Sequence, residues 1–329
     1  MSRLDLVAIG NAIVDVIAQV DDQFLADNDI ARGAMSLIDT ERAAGLYSAM
    51  PAAREISGGS AANTVVGAAM IGCSSAYVGK VRDDQLGQIF GHDIRASGVY
   101  YDGPFAPEGS DLETARSFIL VTPDGERSMN TYLGISTTLH ADDIDAGLMA
   151  RADWLYLEGY LFDTPEAKQA YANAIAATRS GGGSIAFTVS DAFCVDRHRD
   201  DMLALIRRDV DLLFANEAEV KALVGTDELE IALEGVARMV DCAAITLGGD
   251  GAVILRGAER TRVAPQAVDV ADTTGAGDLF ASGFLAGIIR GHDDRAAAHM
   301  GCLAAGEVIS HLGARPEANL AEIVANNGF

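Results

Sequence analysis

The chain has 329 residues, 49% of them hydrophobic and 35 of them glycine, which marks a well-buried globular protein with many tight turns and excludes a disordered or fibrous one. A formal charge of −24 argues against binding to nucleic acid or to an anionic membrane, both of which need clustered Lys and Arg. Cys73, Cys194, Cys242 and Cys302 form no CxxC pair, so reduced, buried thiols are expected and not a zinc site or disulfide framework. No run approaches about 18 consecutive apolar residues and the first residues lack a signal-peptide layout, so the expectation is a soluble cytoplasmic protein.

In chain order, residues 4–9 read as a first strand ending in the turn Gly10-Asn11. Asp15 lies inside the apolar run 13–17. It is either a loop acid facing solvent or a carboxylate that accepts hydrogen bonds from a polyhydroxylated ligand. Residues 21–53 are mixed and polar and fit a small insertion over the main sheet. Ser57-Gly58-Gly59-Ser60-Ala61-Ala62-Asn63-Thr64 then reads as a strand-to-helix turn, with Asn63 one turn into the helix favouring a ligand contact.

Residues 75–81, 116–122 and 127–132 are strand-like, the last two joined by the turn Pro123-Asp124-Gly125-Glu126. Arg127 is either a turn charge or a group that reaches an anionic ligand. The middle of the chain alternates strands at 154–157, 184–189 and 211–214 with helices at 165–179, 199–208 and 217–224, the pattern of βαβ units in a parallel sheet. Ligands of such sheets sit beyond the carboxyl ends of the strands, where Glu158 and Asn216-Glu217-Ala218-Glu219 fall. Asn216 with Glu219 is either a helix cap with first-turn acids or a ligand pair.

A strand at 243–247 precedes Gly248-Gly249-Asp250-Gly251 and a hairpin through Leu255 and Val263. Two helices follow, over 275–290 and 295–311. The first opens on Asp272-Thr273-Thr274-Gly275-Ala276-Gly277-Asp278, whose small residues leave backbone N–H groups open at a helix start, a seat for phosphate. Asp278 beside that seat is suited to act as a base toward an attacking hydroxyl. No G-x-x-x-x-G-K-[ST] or G-x-G-x-x-G is present, which excludes a P-loop NTPase and a dinucleotide-binding Rossmann domain. No histidine has a partner at i+3 or i+4, so no metal pair lies on a helix.

Taken together, Gly58-Gly59-Ser60-Ala61-Ala62-Asn63, Asn216-x-x-Glu219, Thr246-Leu247-Gly248-Gly249-Asp250-Gly251-Ala252 and Asp272 to Asp278 resemble the signatures of the ribokinase-like (PfkB) family of carbohydrate and nucleoside kinases. The resemblance implies a three-layer α/β/α sandwich with a mostly parallel sheet, as one kinase domain over 1–329 with a small β-sheet lid from segments near 12–55 and 98–133. It implies Asp278 as catalytic base and the amides of Gly275, Ala276 and Gly277 as the anion hole. Asn11, Asp15, Gly58, Gly59, Asn63 and Glu158 are then expected at the acceptor. Asn216, Thr246, Gly248 and Gly251 are expected at ATP, with Glu219 ordering Mg2+ through water.

Arg127 is similar to an arginine that covers the transferred phosphate in adenosine kinases. Met129, with Met35 and Leu37, either sandwiches a purine or forms lid core. The expected reaction is phosphoryl transfer from Mg-ATP to a primary hydroxyl of a ribosyl acceptor, adenosine first and a sugar as alternative. A silent nucleoside- or sugar-binding protein is the alternative of another class. A monovalent cation such as K+ near Asp272, Thr274 and Gly313 fits potassium-dependent relatives, and the assembly is expected to be a monomer or a homodimer.

Overall fold

A computed structural model describes residues 2–106 and 109–329; Pro107 and Glu108, within the second expected lid segment, lie outside the described residues. The main sheet has eight strands, in the order Glu259–Val263, Ala252–Arg256, Cys242–Thr246, Leu212–Asn216, Ser184–Thr188, Ala152–Glu158, Leu4–Ile9 and Ser75–Val78. All neighbours are parallel except at one edge, where Ala252–Arg256 runs antiparallel to both Cys242–Thr246 and Glu259–Val263. Because successive strand residues face opposite sides, each strand feeds two cores. Leu6, Tyr156, Phe214 and Ala244 pack with helices Ser60–Met70, Ala276–Ile289 and Asp294–Val308, whereas Val7, Leu155, Leu213 and Ile245 pack with Pro165–Ser180, Ala192–Asp209 and Glu217–Val224. The three layers follow from that alternation.

The order reverses between Leu4–Ile9 and Ala152–Glu158, because the chain runs outward from that pair in both directions. A crevice opens at such a switch point, beyond the carboxyl ends of the two strands. Asn11 and Glu158 stand there.

A second sheet of five strands has the order Met35–Leu37, Arg127–Tyr132, Ala115–Val121, Ile13–Gln19 and Arg54–Gly58. Its hairpin at 121–127 is antiparallel, while Ile13–Gln19 runs parallel to Ala115–Val121. None of the described residues among 98–114 enters this sheet. Within them Phe105–Ala106 pairs with Val81–Arg82 in a separate two-stranded ribbon, so the run expected as one strand at 75–81 is divided. Residues 21–53 supply one edge strand and two short helices, Asp22–Asp27 and Thr40–Ala49, each capped by an aspartate side chain.

Glycine sets the closest helix contacts. At Gly283 a Cβ would lie 2.4 Å from the Met300 carbonyl oxygen, and at Gly67 2.5 Å from Ser282 Oγ. Helices Ala276–Ile289 and Asp294–Val308 therefore approach backbone to backbone, and Ser60–Met70 packs its Gly67 directly on side chains of Ala276–Ile289. Helix Asp294–Val308 ends short of the expected 311, and the helix expected from 199 begins at Ala192 with a kink at His198. The cysteines are free and buried, as expected.

Candidate active site

Two helix starts meet over the switch point, and both lack a side-chain cap. Gly59 (φ 97) precedes Ser60–Met70 and Gly275 (φ 79) precedes Ala276–Ile289. Only glycine takes such φ values without strain. At Gly59 the limit is also steric, since a Cβ would stand 2.3 Å from the Asn11 carbonyl oxygen. Of the three expected anion-hole amides, Ala276 N–H is spent on the Thr273 carbonyl (3.2 Å), while those of Gly275 and Gly277 have no acceptor among the described residues. Two donors at a positive helix end still suit a phosphoryl group.

Asp278, in the first turn of the second helix, is gripped from the first. Ser60 Oγ donates to its Oδ1 (2.6 Å) and Asn63 Nδ2 to its Oδ2 (2.9 Å). Burial raises its pKa; the two hydrogen bonds and the positive charge of Arg315 act the other way. Asn63 thus holds the carboxylate, and its Oδ1 stays buried with no donor among the described residues. Ser60 has no role in the sequence reading, because nothing local marks a partner 218 residues away.

Asp15 is buried, no hydrogen bond to its carboxylate occurs among the described residues, and burial pushes its pKa up to about 7 against the opposing field of Arg315. Gly58 lies directly against that carboxylate, where a Cβ would be 2.3 Å from Oδ2. Its role is to leave room for Asp15.

Asn11 and Glu158 line the smaller of the site's two cavities and are also bonded to each other. Asn11 N–H (2.7 Å) and Nδ2 (3.0 Å) donate to Glu158 Oε1, Ala61 N–H donates to Oε2 (2.9 Å), and Asn11 Oδ1 accepts from Ser136 Oγ (2.8 Å). Expected as acceptor contacts, the two side chains are largely satisfied by the protein. They brace the first turn of the main sheet against the Ser60 helix. Glu158 is fully buried, which raises its pKa to about 7.

Asn216 and Glu219 form a reciprocal cap. Asn216 Oδ1 accepts from Glu219 N–H (2.9 Å), and the Glu219 carboxylate accepts from Asn216 N–H (2.9 Å) and Nδ2 (2.6 Å). Burial raises the Glu219 pKa to about 7.

Arg127 reaches from the second sheet to the anion loop. Its Nη1 donates to Thr274 Oγ1 (2.9 Å), and its Nη2 is ion-paired with Asp272 while its Nε stays buried without an acceptor among the described residues. Asp272 also accepts from Thr274 N–H (2.9 Å) and Gly313 N–H (2.9 Å).

Two cavities share this centre. One, of about 390 Å³, is lined by Asn11, Asp15, Gly59, Asn63 and Glu158 together with the apolar side chains of Met35, Leu37, Ile119, Met129 and Phe193. The second, of about 540 Å³, is lined by Asn216, Glu219, Thr246 and Gly248. Ser60, Ala276, Gly277 and Asp278 line both. Gly251, expected beside the nucleotide, is absent from the lining. A Cβ there would be 2.1 Å from the Val263 carbonyl oxygen, so it serves the edge hairpin.

The family model for pfkB family carbohydrate kinases matches residues 4–320. The chain belongs to this family. A crystal structure of a probable sugar kinase protein from Rhizobium etli is 49% identical, covers 100% of this chain and 99% of its own, and superposes with a TM-score of 0.92. An adenosine kinase from Sinorhizobium meliloti is 48% identical over 99% of this chain and 100% of its own, with a TM-score of 0.92. An uncharacterised sugar kinase of Archaeoglobus fulgidus is 26% identical over 76% of this chain and 97% of its own. As a pfkB-family kinase the protein is a phosphotransferase acting on a hydroxyl group, and kinases of this family use ATP with Mg2+.

The donor set agrees with how that ion is used. Among the described residues no group of three or more His, Cys, Asp or Glu side chains is arranged to hold a metal, and Glu219 and Asp278 line both cavities. Such a site fits magnesium carried on nucleotide phosphates and ordered through water, not a resident metal. When bound, the ion neutralises charge on the phosphates.

Proposed function

We propose that the protein transfers the γ-phosphoryl group of Mg-ATP to the 5′-hydroxyl of a ribonucleoside, adenosine before others. The observation that carries this reading is the mixed lining of the smaller cavity, which combines an unpaired carboxylate and Asn63 with Met, Leu, Ile and Phe side chains. A ribose needs the first and a flat base needs the second. A free sugar would leave the apolar wall unused. The 48% identity to the Sinorhizobium meliloti adenosine kinase supports the same reading.

In this account Asp15 accepts from the ribose hydroxyls beside Gly59. Asp278, fixed by Ser60 and Asn63, faces the attacking hydroxyl and takes its proton. The free amides of Gly275 and Gly277 hold the migrating phosphoryl group, and Arg127 supplies positive charge beside it. Nucleotide lies in the larger cavity along Thr246 and Gly248, with Glu219 ordering the hydrated magnesium ion. The second sheet closes over the acceptor as a lid.

Sugar phosphorylation is the second reading, favoured by the Rhizobium etli and Archaeoglobus fulgidus relatives. Coupled ADP release with adenosine, inosine, guanosine, ribose and fructose separates the two. The expected kcat/KM for adenosine exceeds that for either sugar by about 10²-fold or more, because base burial contributes to transition-state binding. A sugar preferred over every nucleoside would overturn the assignment.

A further inference from the structure

Arg315 follows the last long helix in the stretch Gly313-Ala314-Arg315-Pro316. Its partly buried guanidinium donates through Nε (2.8 Å) to the Ser57 carbonyl, through Nη2 (2.8 Å) to the Ser57 hydroxyl and through Nη1 (3.0 Å) to the Ala62 carbonyl. All three acceptors are neutral. Asp93 holds the same serine from the other side, its Oδ2 accepting from Ser57 N–H (2.9 Å) and Oγ (2.6 Å). A shielded guanidinium normally takes a carboxylate directly, in a forked pair. Here the negative charges that balance it, Asp93, Asp15 and Asp278, stand around it, with Tyr77 also close.

The two residues it clasps bracket the segment that matters. Ser57 is the last residue but one of strand Arg54–Gly58 in the second sheet, and Ala62 lies in the first turn of the helix from Ser60. Between and just beyond them are Gly59, with its forced φ, and Ser60 and Asn63, which hold Asp278.

We propose that Arg315 is a positioning residue for phosphoryl transfer: it fixes the 57–62 turn from which Ser60 and Asn63 hold Asp278. The groups facing Asp15 are Arg315, Arg127 and Asp278, and those facing Asp278 are Ser60, Asn63 and Arg315. Arg315 is the strongest of the opposing charges on Asp15. The inference rests on reading Asp278 as the base.

The test compares pH profiles of kcat and kcat/KM for wild type, Arg315→Met and Arg315→Lys, with Asp278→Asn as control. In Arg315→Met the acidic limb moves up by about one pH unit, since an opposite charge nearby shifts a carboxylate by that order, and kcat falls at least about tenfold. In Arg315→Lys the limb stays within a few tenths of a unit, while kcat per folded molecule still falls about tenfold because the fork is lost. If Arg315→Met does not accumulate as folded protein, the lysine variant decides. A variant that loses only Tm, with kcat and limb unchanged, would overturn the proposal. An Asp278→Asn enzyme with near-normal turnover would instead remove the base reading beneath it.

Discussion

Asp15 and Asp278 share a cavity wall and differ in what they already hold. Asp278 accepts from Ser60 and Asn63, whereas Asp15 has no hydrogen-bond donor among the described residues. Asp15 is therefore the group with capacity left for an acceptor's hydroxyls, and Asp15→Ala should raise the acceptor KM by about tenfold or more while changing KM for ATP little. Equal acceptor affinity by calorimetry would contradict that role. Its pKa also makes a stability statement. A carboxylate whose folded pKa is raised from 3.8 to about 7 binds its proton more tightly when folded, so its contribution is favourable at low pH and is lost as pH rises through that window. Asp15→Asn should accordingly raise Tm more at pH 7.5 than at pH 4.5. A Tm difference independent of pH would show that burial of this carboxylate carries no cost. Arg315 and the Arg127–Asp272 pair were not legible in the sequence, because each acts across more than a hundred residues on partners that no local pattern marks.

Elements with a local signal were read closely, and those fixed by long-range pairing were not. The helix at Ala276–Ile289 announced itself by its small-residue start, and the hairpin around 123–126 by its Pro-Asp-Gly turn. The three-residue strand Met35–Leu37 and the ribbon of Val81–Arg82 with Phe105–Ala106 have no period of their own and exist through their partners. Asn216 and Glu219 carried two readings, and the reciprocal cap accounts for the local one in full. The glycine before Ser60–Met70 leaves no room for a side chain at the start of that helix. Gly59→Ala places a Cβ 2.3 Å from the Asn11 carbonyl oxygen at φ 97, so the helix start must shift and with it Ser60 and Asn63. The expected cost is about 2 kcal/mol or more in stability, with at least a tenfold loss of turnover. Denaturant melts and ADP release measure both, and a variant as stable and active as wild type would contradict the close approach.

At the scale of the molecule, the sandwich came from strand and helix alternation, and the place of the site from a rule about where parallel sheets bind. The position of the smaller sheet over that site is a tertiary fact. Arg127 ties the two bodies together at Thr274 and Asp272, and its buried Nε remains a donor without an acceptor among the described residues. Arg127→Ala should lower kcat about tenfold or more with little change in ATP affinity, since it removes charge beside the transferred group. Unchanged steady-state kcat would assign the residue to folding alone.

The account as a whole rests on two substrates meeting at one carboxylate, and Asp278 lines both cavities. The direct measurement is product formation by Asp278→Asn with Mg-ATP and adenosine, alongside calorimetric binding of each. Both substrates are predicted to bind with near wild-type affinity while AMP formation falls by about 10²-fold or more. Near-normal AMP formation by this variant would contradict the account.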